Sequence, residues 1–216
     1  MRYHTLRKAH SNFLLISDSQ VQQKKAQPSK TTDEPETVEL KSGVINVLSL
    51  PGGRIKNCYD FLPPEKKYSV IILFIGANDC FYKGGKISDR SAKDIAEDLK
   101  DLANVLANRA EQVFVLGLPH RHQKTDRTKE VNTLLVNLSK SSDWNFKGVG
   151  HYIGKKDVSG DAVHLTQDGL KNLKRLIKTD ILKEKFSLEE DKKETTLIEC
   201  NPNTHRECLC GSYSPC

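Results

Sequence analysis

The fold of this chain is decided by residues 70–79, which read VIILFIGAND. The first six residues are continuously apolar, as a central strand of a parallel sheet requires, because helices cover both of its faces. The run then stops at a glycine and turns polar at Asn78 and Asp79. In open α/β sheets ligands bind at the carboxyl ends of the strands. The polar residues after this strand are therefore the first candidates for a functional site.

Apolar runs and amphipathic stretches alternate on both sides of the central strand. Four further strands are predicted, at residues 13–17, 44–50, 113–118 and 146–149. Three helices are predicted, at residues 91–109, 129–142 and 167–186. Ser91, with Asp94 three residues on, and Thr166 are the expected N-caps of the first and last of these helices. This alternation indicates an α/β fold, a flavodoxin-like doubly wound (α/β/α) parallel sheet.

The 216 residues suffice for one domain and a tail. We assign the domain to residues 11–186, with a polar segment at 22–42, rich in helix and strand breakers, that is expected to be a long loop or a flexible insertion. Residues 187–216 are expected to form a flexible, cysteine-rich tail. No stretch reaches the roughly 18 apolar residues of a membrane span, and no signal peptide is evident, so an intracellular location, cytoplasmic or nuclear, is expected.

The chain is mildly basic, with a formal net charge of +6. Its lysines are interleaved with acidic residues rather than clustered, which favours a solvated surface over a dedicated nucleic-acid face. Aromatic residues make up only 6% of the chain, too few to indicate a stacking platform for single-stranded bases.

Three residues have the chemistry of a serine-esterase triad. A serine hydroxyl such as that of Ser19 needs an adjacent base, and histidine, here His164, is the usual one. Asp161 precedes His164 by three residues, so one turn of chain can bring its carboxylate to the imidazole to fix the tautomer. The developing oxyanion also needs donors. The backbone N–H groups of Ser19 and Gly52 and the side-chain amide of Asn78 are the candidates, and glycine at position 52 would allow a close backbone approach.

Four segments in this order resemble the blocks of SGNH (GDSL-type) hydrolases. They are Ser17-Asp18-Ser19-Gln20 for the nucleophile block, Pro51-Gly52-Gly53 for the glycine block, Gly76-Ala77-Asn78-Asp79 for the Gly-x-Asn-Asp block, and Asp161-Ala162-Val163-His164 for the Asp-x-x-His block. The resemblance spans residues 13–180. It implies that Ser19 is the nucleophile, that Gly52 and Asn78 are oxyanion donors, and that His164 is the base oriented by Asp161. An esterase reaction through these residues needs no metal or organic cofactor.

The chain departs from the family pattern at two positions of the first block. Ser17 stands where the family usually has glycine, and Gln20 stands where leucine is common. A Cβ atom at position 17 is expected to strain the turn that presents Ser19. The polar segment at 22–42 also follows the nucleophile block directly, where the family usually continues with a helix.

Several of these residues have a structural interpretation as well. Taken by itself, without the other blocks, Ser19 is better explained as a helix N-cap. Asp18 and Asp79 are expected to hydrogen-bond to neighbouring backbone rather than to catalyse. His120 and His122 follow the fourth predicted strand (residues 113–118), where they either contact substrate or belong to a solvated loop. His151 is expected in a loop, and Trp144 at the rim of the core.

The tail carries Cys200, His205, Cys208, Cys210 and Cys216, enough ligands for one tetrahedral zinc ion. Their spacing matches no common zinc template, so a tail with reactive or incidental thiols is the alternative. An intracellular location argues against disulfides for these residues and for Cys58 and Cys80.

Two functions from different classes remain open on the sequence. The first is an esterase that acts on a short acyl group or a polar ester, because the expected pocket walls at residues 80–90 and 119–128 are polar and basic. The second is a weak or inactive SGNH-like module that binds RNA or protein, of the kind also found in proteins encoded by retroelements. In the second case, the basic residues of the last helix would supply phosphate contacts.

Overall fold

A computed structural model of the chain describes residues 13–18, 36–40, 43–50, 52–63, 68–81, 87–120, 127–159 and 164–182. The chain divides into a compact unit that ends at Arg175 and a second unit, residues 176–216. The strands of the first unit are β1 (Phe13–Asp18), β2 (Glu36–Leu40), β3 (Gly43–Leu50), β4 (Tyr68–Phe74), β5 (Ala110–Leu116) and β6 (Asn145–Lys147). The helices are α1 (Ala77–Cys80), α2 (Ala92–Ala107), α3 (Arg127–Ser139) and α4 (Gln167–Leu176), with 3₁₀ helices at Ile55–Phe61 and Lys155–Asp157.

The strands form one sheet in the order β2-β3-β1-β4-β5-β6. Strands β3, β1, β4, β5 and β6 run parallel, which confirms the doubly wound α/β architecture. The register places Ser17 of β1 beside Ser49 of β3 and Phe74 of β4. The carboxyl ends of these three central strands therefore lie at one edge of the sheet, where the sequence blocks were expected to meet.

Strand β2 lies in the segment 22–42, where the sequence predicts a loop. It pairs antiparallel with β3, and only residues 41–42 separate the two strands. So short a connection permits an antiparallel hairpin but no parallel crossover. Residues 36–40 read ETVEL, a weak apolar pattern that does not by itself predict a strand. They form a strand because β3, at the edge of the parallel sheet, supplies their backbone hydrogen bonds. The rest of the segment, residues 22–35 and 41–42, lies outside the described residues.

The central strand is buried on both faces, as its apolar run predicts. Ile71, Leu73 and Ile75 pack in one core cluster with residues of α2 such as Ile95 and Leu99. Alternate residues of a strand point to opposite faces, and Val70, Ile72 and Phe74 on the other face are also no more than 1% exposed. Both faces of β4 are therefore covered.

Helix α2 begins where its cap was predicted. The Ser91 side chain accepts a hydrogen bond from the Asp94 N–H at 3.0 Å, and the Asp94 carboxylate accepts one from the Ser91 hydroxyl at 2.7 Å. Trp144 lies deeper than the expected core rim. It is 1% exposed, belongs to the same core cluster, and its indole N–H donates to Asn104 Oδ1 at 3.1 Å.

The remaining predicted elements are present with shifted ends. Strands β5 and β6 end two residues before the predicted boundaries, and their last paired residues are Leu116 and Lys147. After α4 the chain continues as a π-helical stretch, Ile177–Leu182, which belongs to the second unit, and residues 183–186 of the predicted helix lie outside the described residues. No helix in the described ranges is long and apolar enough to cross a membrane.

Candidate functional site

The end of β1 is tied to the start of α1. Asp18, the last residue of β1, is fully buried, and its Oδ2 accepts a hydrogen bond from the backbone N–H of Ala77 at 3.2 Å. Asp18 immediately precedes Ser19 in the sequence, and Ala77 immediately precedes Asn78. This one hydrogen bond therefore joins the predicted nucleophile block to the Gly-x-Asn-Asp block. The expected structural role of Asp18 is confirmed.

Ser17 occupies a regular strand position rather than a turn. It is paired on both sides in β1, is fully buried, and its hydroxyl donates to the Asp18 carbonyl at 3.1 Å. An extended residue accommodates a Cβ atom without difficulty, so position 17 is not the site of strain that the sequence comparison suggested.

The glycine block forms a tight turn after β3. The Gly53 N–H donates to the Leu50 carbonyl at 2.8 Å, and Gly52 has a φ of +68°. Proline in the second position and glycine in the third are typical of a type II turn. A Cβ atom at Gly52 would meet nothing within 4 Å, whereas one at Gly53 would lie 2.7 Å from Leu50 Cβ. Gly52 is therefore required for its positive φ, whereas at Gly53 the absence of a Cβ atom permits the close contact with Leu50.

Two adjacent residues of α1 hold the segment that follows this turn. Asn78 Nδ2 donates to the Gly53 carbonyl at 3.0 Å, and Asp79 Oδ2 accepts from the Ile55 N–H at 3.0 Å. The structure thus brings the Gly52 turn and the Asn78 amide together, two of the predicted oxyanion donors. Asn78 Nδ2 carries a second hydrogen that no described residue accepts, and within the same ranges the Gly52 N–H makes no hydrogen bond. Among the described residues, nothing therefore accepts a hydrogen bond from the Gly52 N–H or from the second Asn78 Nδ2 hydrogen.

His164 stands at the base of a small hairpin. Val158 and Leu165 form an antiparallel bridge, and the Ser159 N–H donates to the His164 carbonyl at 2.8 Å. The Thr166 N–H and hydroxyl both donate to the carbonyl of buried Asp157, at 2.8 and 3.2 Å. These bonds fix the backbone on both sides of His164, which is itself half-buried. Asp161 and Ser19 lie outside the described residues.

The architecture matches solved structures of esterases and a lipase. Axe2, an acetylxylan esterase from Geobacillus stearothermophilus, is 14% identical with a TM-score of 0.52, over 76% of this chain and 91% of that one. A variant of Axe2 reaches a TM-score of 0.55 at 15% identity, over 78% and 93% of the two chains. An extracellular lipase from Streptomyces rimosus is 12% identical with a TM-score of 0.53, over 76% of this chain and 99% of that one. These proteins are SGNH hydrolases. The chain has the SGNH hydrolase fold. No family model and no curated protein sequence matches it.

In this SGNH fold, the region beneath the glycine turn is a buried charged network. Burial raises the pKa of Asp79, while the Ile55 N–H, Arg90 and Arg54 oppose that rise. Arg90 donates to Asp79 Oδ1 at 2.8 Å. Burial, together with the charges of Asp79 and Asp18, raises the pKa of the Cys58 thiol to about 12. Cys58 is therefore neutral at physiological pH and is not a competing nucleophile. Asp79 has the structural role expected of it.

The start of α4 is fitted closely against Asp157. The Gly169 N–H donates to Thr166 Oγ1 at 3.1 Å, which confirms Thr166 as the cap. A Cβ atom at Gly169 would lie 2.3 Å from the Asp157 carbonyl oxygen, so only glycine fits there without movement. The sequence pointed to neither Asp157 nor Gly169, because their contact joins residues that show no local pattern.

The residues that follow β5 are held by α3. Asn132 of α3 accepts from the Leu118 N–H at 2.8 Å and donates to the Leu118 carbonyl at 2.9 Å. Sequence reasoning missed Asn132, although a polar residue directly after buried Val131 was an available signal. His120, two residues after Leu118, is exposed, as is His151 in a later turn. His122 lies outside the described residues.

The predicted zinc ligands of the tail, Cys200, His205, Cys208, Cys210 and Cys216, also lie outside the described residues. Among the residues that are described, no three His, Cys, Asp or Glu side chains are grouped so as to hold a metal ion. Cys58 and Cys80 are both buried and are not joined in a disulfide.

Proposed function

We propose that this chain is a serine hydrolase that cleaves an ester, with Ser19 as nucleophile, His164 as general base and Asp161 as the partner that orients His164. The observation that carries the proposal is the hydrogen-bonded joining of three strand ends. Asp18 accepts a hydrogen bond from the Ala77 N–H, and Asn78 donates one to the Gly53 carbonyl. Three of the four predicted blocks are therefore joined to one another in a fold shared with esterases.

The proposed reaction proceeds by acyl transfer to Ser19. The Ser19 hydroxyl attacks the ester carbonyl carbon while His164 takes its proton, and the carbonyl oxygen becomes an oxyanion. The N–H groups of Ser19 and Gly52 and the second hydrogen of Asn78 Nδ2 donate to that oxygen. The intermediate then expels the alcohol, which His164 protonates. Water, deprotonated by His164, attacks the acyl-enzyme and releases the acid together with free Ser19.

We propose a short acyl group on a polar alcohol as the substrate class. The expected pocket walls at residues 80–90 and 119–128 are polar and basic, with Gly84, Gly85, Arg121 and Lys124 among them. Such walls disfavour a long alkyl chain, which needs apolar surface to bury. One of the structural neighbours is an acetyl-xylooligosaccharide esterase, which agrees with this class.

Hydrolysis of p-nitrophenyl acetate and p-nitrophenyl decanoate by the wild type, Ser19→Ala and His164→Ala tests the proposal. Matched controls are Ser141→Ala and His151→Ala, both exposed and outside the four sequence blocks. Loss of either catalytic group should lower kcat/KM at least about a thousandfold. The controls should match the wild type, and acetate should be the better substrate. Activity that survives Ser19→Ala would refute the nucleophile assignment.

The alternative, an RNA-binding module, has one observation in its favour. Lys174 and Arg175 of α4 are exposed, as are Lys155 and Lys156 of the neighbouring 3₁₀ helix. Binding of single-stranded RNA, measured by fluorescence anisotropy at about 50 and 200 mM salt, separates the two functions, because phosphate contacts weaken steeply as salt is added. Salt-sensitive binding by a wild type without esterase activity would favour this alternative.

A further inference from the structure

Arg90 connects three elements around the candidate oxyanion site. Its guanidinium donates to Asp79 Oδ1 at 2.8 Å, at the end of α1, and to Asp98 Oδ2 at 2.6 Å, on α2. Its carbonyl accepts from the Arg127 guanidinium at the start of α3. The Arg90 side chain is 29% exposed, the Asp98 side chain is 41% exposed and the Asp79 side chain is 0% exposed. Only the contact with Asp79 is therefore well shielded from water.

Asp79 links Arg90 to the segment that follows the glycine turn. Its Oδ1 binds Arg90, while its Oδ2 accepts from the Ile55 N–H, two residues after Gly53. The adjacent Asn78 binds the Gly53 carbonyl. The orientation of the Asp79 carboxylate therefore governs both the position of the turn that carries the Gly52 N–H and the α1 backbone that carries the Asn78 amide.

The charge of Asp79 depends on the few groups that face it. Burial opposes the carboxylate, whereas the Ile55 N–H, then Arg90 and, more weakly, Arg54 favour it. On the 3₁₀ helix, the Cys58 thiol is close enough for its pKa to be raised by both Asp79 and Asp18. On the α2 side, Asp98 and the Asp94 carbonyl face Arg90 rather than Asp79. Arg90 is thus the only cation in direct contact with the Asp79 carboxylate among the described residues.

We propose that Arg90 is a positioning residue of the candidate oxyanion site: its ion pair with Asp79 fixes the carboxylate that holds Ile55, and so keeps the Gly52 N–H and the Asn78 amide at a set spacing. The inference rests on the proposed esterase function. Arg90 touches no reacting atom and acts through Asp79.

Loss of Arg90 has two consequences at the site. The first is a looser donor pair, which lowers kcat more than it raises KM, because the oxyanion forms only in the transition state. The second is a shift in pH dependence. Without the guanidinium, buried Asp79 takes up a proton at a higher pH, so activity is lost at a higher pH on the acid side. Lysine at this position would retain the charge but could not make both forked contacts.

The experiment compares Arg90→Gln and Arg90→Lys with Lys93→Gln, which removes one positive charge from an exposed site at the start of α2. We measure kcat and KM for p-nitrophenyl acetate between about pH 5 and 9, and hydrogen exchange of the Ile55 amide. Removal of one oxyanion donor costs about 10²–10³ in rate, and displacement should cost less, so Arg90→Gln should lower kcat about tenfold to a hundredfold. KM should change less than about threefold. In the plot of kcat against pH, the loss of activity on the acid side (the acid limb) should move to higher pH. The Ile55 amide should exchange faster.

Arg90→Lys should keep the acid limb near that of the wild type with a reduced kcat, and Lys93→Gln should match the wild type throughout. Arg90→Gln that equals Lys93→Gln in kcat and in Ile55 exchange would overturn the positioning role. If Arg90→Gln does not fold, Arg90→Lys carries the same comparison. If the wild type has no esterase activity, the proposed function fails by itself. The Ile55 exchange then still decides whether Arg90 positions the turn.

Discussion

Replacement of Gly169 by alanine should have two opposite effects on stability: a higher helix propensity and a steric clash with Asp157. Alanine is the better helix former, by about 1 kcal/mol within a helix. Judged from the helix alone, Gly169→Ala is therefore stabilising. In the structure, however, the new Cβ atom would lie 2.3 Å from the Asp157 carbonyl oxygen and 3.2 Å from Asp157 Cβ.

The clash should outweigh the helix gain. Ordinary non-bonded contacts lie near 3.5 Å, so α4 and Asp157 must separate by about 1 Å. That movement weakens the two hydrogen bonds from Thr166 to the Asp157 carbonyl, now 2.8 and 3.2 Å long. Each is worth about 1 kcal/mol, and forced overpacking typically costs about 1–3 kcal/mol. After the helix gain is deducted, a net loss of about 2 kcal/mol in the free energy of unfolding is expected.

Urea unfolding followed by the fluorescence of Trp144, the only tryptophan, measures this loss. The matched control is Gly150→Ala, since a Cβ atom there would meet nothing within 4 Å and its φ is not positive. The control should lie within about 0.5 kcal/mol of the wild type. If Gly169→Ala is as stable as the wild type or more so, the close approach to Asp157 is refuted as the reason for glycine at this position.

Three further comparisons test the site and its supports by urea unfolding. Gly53→Ala should destabilise the fold by at least about 2 kcal/mol, because its Cβ would lie 2.7 Å from a β3 side-chain atom. Gly52→Ala should cost only about 1–2 kcal/mol, because alanine is strained at a positive φ. Equal losses of unfolding free energy for the two substitutions would contradict this expectation. Asn132→Asp should cost about 1–3 kcal/mol at neutral pH, because a carboxylate cannot donate to the Leu118 carbonyl, and the loss should shrink at acid pH as the carboxyl gains a proton; a loss independent of pH would argue against it. The Cys58 thiol keeps its proton in the folded chain up to a pKa of about 12 but loses it above about 9 when unfolded. Wild-type stability should therefore fall by up to about 1.4 kcal/mol per pH unit above pH 9 relative to Cys58→Ala, and parallel pH profiles would refute the assignment.

The sequence alone determined the frame of this protein. The buried β4, the amphipathic α2 with its Ser91 cap, and the parallel order of the central strands all follow from local patterns. A continuous apolar run, a helical stripe and a capping residue are signals carried by neighbouring residues. The order of the four sequence blocks likewise predicted which strand ends would meet, because parallel strands bring their carboxyl ends to one edge.

The tertiary structure alone decided which residues hold that edge in place. The contacts between Asp18 and Ala77 and between Asp79 and Ile55 join residues 59 and 24 positions apart. A pattern among neighbouring residues cannot predict such contacts. For the same reason, no local pattern predicted the close contact at Gly53, since it depends on where the chain folds back onto Leu50. Strand β2 is the corresponding case in the fold, because its hydrogen bonds come from the sheet edge and not from its own residues. Local patterns therefore determine the elements, and contacts between distant residues determine the geometry of the site.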